Sequence, residues 1–215
     1  MDVLEAIRRR RSVRQFRPDP VPEEMIRTLL DAARLAPSSY NLQPWEFVVV
    51  TDPEVRRRLR VAANNQAQVE EAPVVIVCLG SLRQQDALAA RLEASLPPDA
   101  PPERRERVMK TVQRHKHDPE FRKIHVLTST YIGVAFLVLA AQSFGLGTCW
   151  MGGFDPDQVR SLLGIPEDFL VASLVAVGWP AEGLEFRPRQ RRPLEEIVHW
   201  NHFGRRPDWE PVTSQ

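Results

Sequence analysis

The chain has 215 residues, 43% of them hydrophobic and 27% charged, with 29 Lys+Arg against 28 Asp+Glu and a formal net charge of +1. A chain of this size buries a sizeable core, and its near-neutral balance with ordinary apolar content excludes a disordered polypeptide. It also argues against a protein that holds nucleic acid by bulk charge, because little surplus positive potential is left to attract phosphates. Cys78 and Cys149 are too few for a disulfide scaffold and read as buried free thiols. The acidic opening Met1, Asp2, Val3, Leu4, Glu5 lacks a secretory apolar region. The longest apolar stretch, residues 131–141, is shorter than the ~20 residues that span a bilayer. The expectation is a soluble cytoplasmic protein with no membrane partner.

Residues 2–9 read as a short helix with Val3, Ala6 and Ile7 on one side, running into Arg8, Arg9, Arg10, Arg11, Ser12, Val13 and Arg14. Asp19, Pro20, Val21 and Pro22 interrupt the chain. Pro22 suits the first turn of a second helix, and Glu23 and Glu24 suit its positive end. Ile26, Leu29, Leu30 and Ala33 then keep helical spacing until Pro37. Residues 37–44 are a loop by composition. Residues 47–50 read as a buried strand, Pro53 opens a helix, and residues 74–79 are a continuously apolar strand.

Residues 81–123 are charged and broken by Pro97, Pro98, Pro101 and Pro102. They read as a helical excursion, with 83–123 a candidate cover over a site. Residues 125–144 form a helix with little polar face, which buries either centrally or at a subunit interface. Asp155 and Pro156 start another helix that Gly164 ends, and residues 169–177 are a strand. The tail, 183–215, is rich in Arg, Pro and Trp and too poor in apolar periodicity to fold alone, so it is either disordered or docked. Strands without regular strand–helix alternation point to an α+β fold in a single domain over 1–215. Gly145, Gly147, Gly152 and Gly153 have the wrong spacing for a dinucleotide fingerprint.

Three clusters carry candidate chemistry. Arg10, Arg11, Ser12 and Arg14 can grip a phosphate through guanidiniums and a hydroxyl, or form only a solvated basic turn. Pro37, Ser38, Ser39, Tyr40, Asn41, Leu42, Gln43, Pro44 and Trp45 are dense in small hydrogen-bonding groups, or are an ordinary helix-to-strand connection. The glycines around Cys149, Trp150 and Met151, followed by Phe154 and Asp155, permit a flat ligand to approach the backbone, or mark a tight crossing of chain segments. His115 with His117, and His199 with His202, lack accompanying ligands at zinc spacing, so no metal site is expected. No Gly-x-Ser-x-Gly elbow supports a serine hydrolase. Trp45, Trp150, Trp179, Trp200 and Phe203 are expected in the core or an interface.

Taken together and in this order, the three clusters resemble the FMN-dependent nitroreductase family, and look closest to its NADH-oxidase-like and NAD(P)H nitroreductase members, over roughly residues 4–203. The resemblance implies a nitroreductase-like α+β fold, with a central mixed or antiparallel sheet flanked by helices. It also implies an intertwined homodimer with FMN at the subunit interface and the C-terminal extension docked on the partner. Carried onto this chain, Arg10 and Ser12, with Arg11 beside them, would face the FMN phosphate, and Arg14 the pyrimidine edge or ribityl chain. Pro37, Ser38, Ser39 and Asn41 would reach the flavin from the other subunit. Asn65 (or its neighbour Asn64) and Gln68 would meet the pyrimidine edge, Gly152 and Gly153 would lie beside N5, and Arg189 and Arg191 would close on the phosphate.

Gln68 stands where many members carry lysine, and Gly152 where an acidic residue is common. The implied reaction is ping-pong: NADH or NADPH delivers a hydride through flavin N5, and a nitroaromatic, a quinone or oxygen then takes the electrons. The flavin carries the chemistry, and no side chain is assigned as a general acid. Dehalogenation, flavin fragmentation and dehydrogenation are same-family alternatives. From another class, residues 8–14 could be an anion or nucleic-acid patch on a non-enzymatic protein.

Overall fold

The two most apolar runs pair with each other. In the computed structural model, which describes residues 1–83, 85–94 and 96–209, β2 (Val74–Ser81) and β4 (Phe169–Gly178) run antiparallel at the centre of a four-stranded sheet. Its edges are β1 (Trp45–Val50) and β3 (Gly147–Met151), and the strand order is β1-β2-β4-β3 with every pairing antiparallel. Strand side chains alternate between faces. Val75, Val77, Leu79, Leu174 and Ala176 therefore pack with Leu59 and Ala62 of α3 (Pro53–Ala62) and Val159 of α8 (Pro156–Leu163). Ile76, Cys78, Val175 and Val177 face the other way, onto Ile26, Leu29 and Ala33 of α2 (Glu23–Arg34) and Val134, Leu137, Val138 and Ala141 of α7 (Pro119–Ser143). Burial on both faces explains the unbroken apolar sequence of the central strands. It also pushes the Cys78 thiol up to about 12. Both cysteines are free and buried, as expected.

The helix ends follow local chemistry. Asp2 caps α1 (Val3–Arg9) by accepting from the Glu5 amide. Asp52 caps α3 and Asp155 caps α8 through the amides two and three residues on. α8 stops at Gly164, whose φ of 65° is left-handed. Pro22 stands one place before α2, at its N-cap.

Several elements differ from the sequence expectation. Residues 47–50 are not a buried strand: β1 starts at Trp45 and lies at the sheet edge with Val49 exposed and Phe47 and Val48 half-buried. β3, with two small residues and a threonine, shows no strand pattern, and its pairing to β4 alone makes it one. The five-residue α4 (Ala67–Glu71) is too short to leave a periodicity.

The charged excursion resolves into α5 (Gln85–Ala94) and α6 (Pro102–His117), joined to the body by Leu42, Leu88, Leu92 and Val112. Its last residues belong to α7, because Asp118 caps that helix through the Phe121 amide at 2.9 Å. α7 is long and apolar enough by length and composition to cross a membrane. Its inner side is nevertheless core, packed along the sheet and α2, while Tyr131, Ile132 and Phe136 on its outer side are exposed.

The chain divides into two compact units, Met1–Leu184 and Glu185–Gln215. In the second, α9 (Leu194–Ile197) is a single turn, Trp200 and Trp209 meet edge to face, and Phe203 stacks on His199 while remaining almost wholly exposed.

Candidate functional site

Val13 anchors the first cluster. It is buried, its amide donates to the Thr148 carbonyl at 2.9 Å, and Ser12 forms a parallel bridge to Thr148. Residues 10–14 thus lie along the outer edge of β3. The fit is close: a Cβ on Gly147 would stand 2.8–2.9 Å from the Val13 side chain. Arg10 ends α1, its amide donating to the Ala6 carbonyl. Arg11 turns back, with Nη1 on the carbonyls of Arg8 and Arg10. Arg14 is exposed, with Nη1 at 3.4 Å from the Ser12 carbonyl. Burial pushes the Cys149 thiol up, and the positive charges of Arg14 and Arg10 and the hydrogen bond from Gln68 oppose it. The two arginines therefore project positive potential onto the β3 edge.

The turn after α3 arrives at the same place. Asn64 and Asn65 both have left-handed φ, 54° and 56°. This turn is tied to the segment after β3: the Asp155 amide donates to the Ala62 carbonyl at 2.8 Å, and Gln66 Nε2 donates to the Gly153 carbonyl at 2.8 Å and the Ala63 carbonyl at 3.0 Å. Gln68 is buried, with Nε2 on Gln66 Oε1 at 3.1 Å and on Met151 Sδ at 3.3 Å. Gly152 and Gly153 are exposed, and a Cβ on Gly152 would meet nothing within 4 Å. Arg10, Ser12, Arg14, Asn65, Gln68, Gly152 and Gly153 consequently gather around β3. Gln66, the residue that links two of these segments, was not expected. A glutamine in a polar turn carries no distinguishing sequence signal.

Pro37, Ser38, Ser39 and Asn41 go elsewhere. Their loop leads into β1, at the opposite edge of the sheet. Ser39 to Asn41 form a 3₁₀ turn in which Tyr40 and Asn41 have φ of 54°, and Gln43 follows at 49°. Left-handed backbone at three non-glycine residues is costly and persists only where the surroundings enforce it. The Gln43 amide donates to Ser38 Oγ at 2.9 Å, the Ser39 amide to Ser129 Oγ of α7, and Arg91 Nη1 of α5 to the Leu42 carbonyl at 2.8 Å.

Tyr40 also meets the edge of His115, which is buried beside Phe121 and His125. Burial, His125 and Arg122 pull His115 down to about 4. His117 bonds Gln113 instead. Among the described residues no three His, Cys, Asp or Glu side chains gather as a metal site. Arg189 and Arg191 lie in the second unit, where Arg191 Nη1 contacts the Gln190 carbonyl. Of the five expected core or interface aromatics, Trp45 is buried, Trp150 is 40% exposed against Tyr131, and Trp200 and Phe203 are exposed in the single chain.

The profile of the Nitroreductase family matches residues 7–179. The chain belongs to this family. It is 46% identical over 202 residues to an NADH dehydrogenase of Thermus thermophilus, covering 93% of this chain and 96% of that protein. It is 30% identical to an NADPH-flavin oxidoreductase of Vibrio harveyi, covering 94% of this chain and 75% of that protein. Among solved structures, a nitroreductase from Exiguobacterium sibiricum in complex with FMN matches with a TM-score of 0.78 and 28% identity, over 94% of this chain and 98% of that one. A Bacillus subtilis nitroreductase matches with a TM-score of 0.80 and 26% identity, over 92% and 97%. The fold is thus the nitroreductase-like α+β fold, its named strands all antiparallel, and the protein is an oxidoreductase.

Proposed function

We propose that this protein is an FMN-dependent NAD(P)H oxidoreductase that passes electrons to nitroaromatic, quinone or oxygen acceptors by a ping-pong route. The observation that carries the reading is the convergence on β3 of three segments far apart in sequence: the arginines of 10–14, the turn at 64–68 and the open backbone of Gly152 and Gly153. This donor set fits FMN. Two guanidiniums match a phosphate of about two negative charges, and Gly152 leaves room for a flat ring. When bound, the flavin supplies the two-electron carrier that side chains lack.

The residues do the rest. Arg10 and Ser12, with Arg11, take the phosphate. Arg14 holds positive charge near the pyrimidine edge, where it favours reduction, and Asn65 and Gln68 bind that edge. Gly152 and Gly153 offer only backbone, so protons come from solvent. Pro37, Ser38, Ser39 and Asn41 lie at the far sheet edge and serve the site of a second copy, which makes the working unit a homodimer. The exposed Ile132 and Phe136 of α7, with Val3, Leu4 and Ile7 of α1, supply an apolar face for that contact. The 83–123 excursion covers the site and the tail docks on the partner. The result is a soluble cytoplasmic enzyme in which one domain carries the whole activity.

Purified protein should be yellow. Stopped-flow mixing with NADH and then NADPH should bleach the flavin, and reoxidation by a panel of acceptors would identify the physiological class. A colourless protein that takes up no FMN overturns the proposal. A second reading, a family flavoenzyme with a different reaction, is favoured by a relative of 30% identity over 92% of this chain, a 5,6-dimethylbenzimidazole synthase of Rhodospirillum rubrum. Loss of the flavin itself during turnover would support it.

A further inference from the structure

Gln66 has every polar atom of its side chain engaged. Both amide protons go to backbone carbonyls, those of Gly153 at 2.8 Å and Ala63 at 3.0 Å. A carbonyl can only accept, so the end of Gln66 facing them is the nitrogen, and its oxygen must be the end facing Gln68. An oxygen there forces Gln68 to present its nitrogen, seen at 3.1 Å, and that nitrogen's second proton is shared between Met151 Sδ at 3.3 Å and Cys149 Sγ at 3.8 Å. The direction of the relay is therefore set by the two backbone carbonyls and passes through two amides without a choice at either. Gln68 is 6% exposed, its hydrogen bonds among the described residues all run through the nitrogen, and its oxygen is not one of the fully buried unpartnered atoms, so that oxygen keeps a path to the surface. An acceptor oxygen that opens to the surface without a protein donor is available to an N–H of a ligand.

We propose that Gln66 is a positioning residue: it orients the Gln68 amide so that an acceptor oxygen, and not an NH₂ donor, meets the cofactor, and it pins the Gly153 peptide beside it. This deepens the FMN reading and rests on it. The site then selects a ring edge that carries an N–H, which on an isoalloxazine is the imide N3–H. Gln68 in this orientation gives no proton to the neighbouring oxygens. The stabilisation of charge on the reduced ring therefore falls to Arg14 and the Asn65 amide among the proposed pyrimidine-edge residues. Gln66 touches no cofactor atom in this scheme and acts only through Gln68 and Gly153.

The test uses the purified full-length protein loaded with ¹⁵N-labelled FMN, reading the N3–H resonance and its exchange with water, and FMN affinity by fluorescence quenching. Wild type should show a slowly exchanging N3–H. Gln66→Met should lose it and bind FMN about tenfold more weakly, the loss of one net hydrogen bond. Gln68→Leu, which leaves the Gln66 bonds to Ala63 and Gly153 in place, should lose the same resonance and provides the test if Gln66→Met misfolds. A persistent, protected N3–H in either folded variant overturns the proposal. If that happens while Arg10→Ala still weakens FMN binding, the positioning role fails and the cofactor site stands. If wild type binds no FMN, the site assignment itself falls.

Discussion

The two edges of the sheet carry candidate groups in different ways. At β3 the groups are closed within one chain: Ser12 bridges Thr148, Gln66 reaches Gly153, and Arg10 and Arg14 bear on Cys149. At β1 the loop from Pro37 to Gln43 is held in left-handed backbone by Ser129 and Arg91, yet it faces away from the β3 cluster with two strands between them. Under the proposed homodimer, a second copy would bring this strained and polar edge to the site of its partner. The comparison therefore separates the groups that one chain brings together from those that it leaves apart.

The largest expected effect breaks the assembly and spares the β3 edge. Phe136→Glu places a charge on the outer face of α7, twice over in a two-fold dimer. Sedimentation equilibrium should show monomer, and FMN retention should fall about hundredfold. A monomer that keeps its flavin would mean the β1 loop is not needed. Next, Arg10→Ala should weaken FMN binding about tenfold to hundredfold by removing a charge-assisted contact, with unchanged far-ultraviolet circular dichroism. Unaltered affinity would count against the phosphate assignment.

Acid should act on the other edge. The folded pKa of His115 is about 4 against an ordinary 6.5, so the unfolded chain takes up a proton that the folded chain refuses. Stability is present in full above 6.5 and declines as pH falls toward 4. Between about pH 7 and about pH 5 the loss should be on the order of 2 kcal/mol in urea melts, and His115→Leu should flatten that slope. The smallest effect is Gly147→Ala, whose Cβ meets the Val13 side chain. It should cost about 1–2 kcal/mol and lower Tm, with the 10–14 run loosened from β3.

Much of the fold is legible in sequence because local causes determine it. The unbroken apolar runs of β2 and β4 announce strands buried on both faces, and Asp52–Pro53 and Asp155–Pro156 announce helix starts. Where neighbours decide, the sequence is silent. Gly147–Met151 becomes a strand only because β4 offers it partners. Phe47 to Val50 reads as buried but ends at an edge, since apolar content does not say which strands will flank it. The site divides in the same way. Arginines and glycines stand out by type, whereas Gln66 does not, because its role lies in hydrogen bonds to residues as far as 87 positions away.

The sequence by itself determined most of the longer helices and the two central strands, that the thiols are buried, and which three motifs mark the family, since each depends on composition and spacing along the chain. The tertiary structure decided that the arginines, the 64–68 turn and the glycines share one edge while the serine loop takes the other. It also decided which end of the Gln68 amide meets Gln66. Proximity and hydrogen-bond direction arise only when chain segments distant in sequence are brought into contact, and no local pattern encodes them.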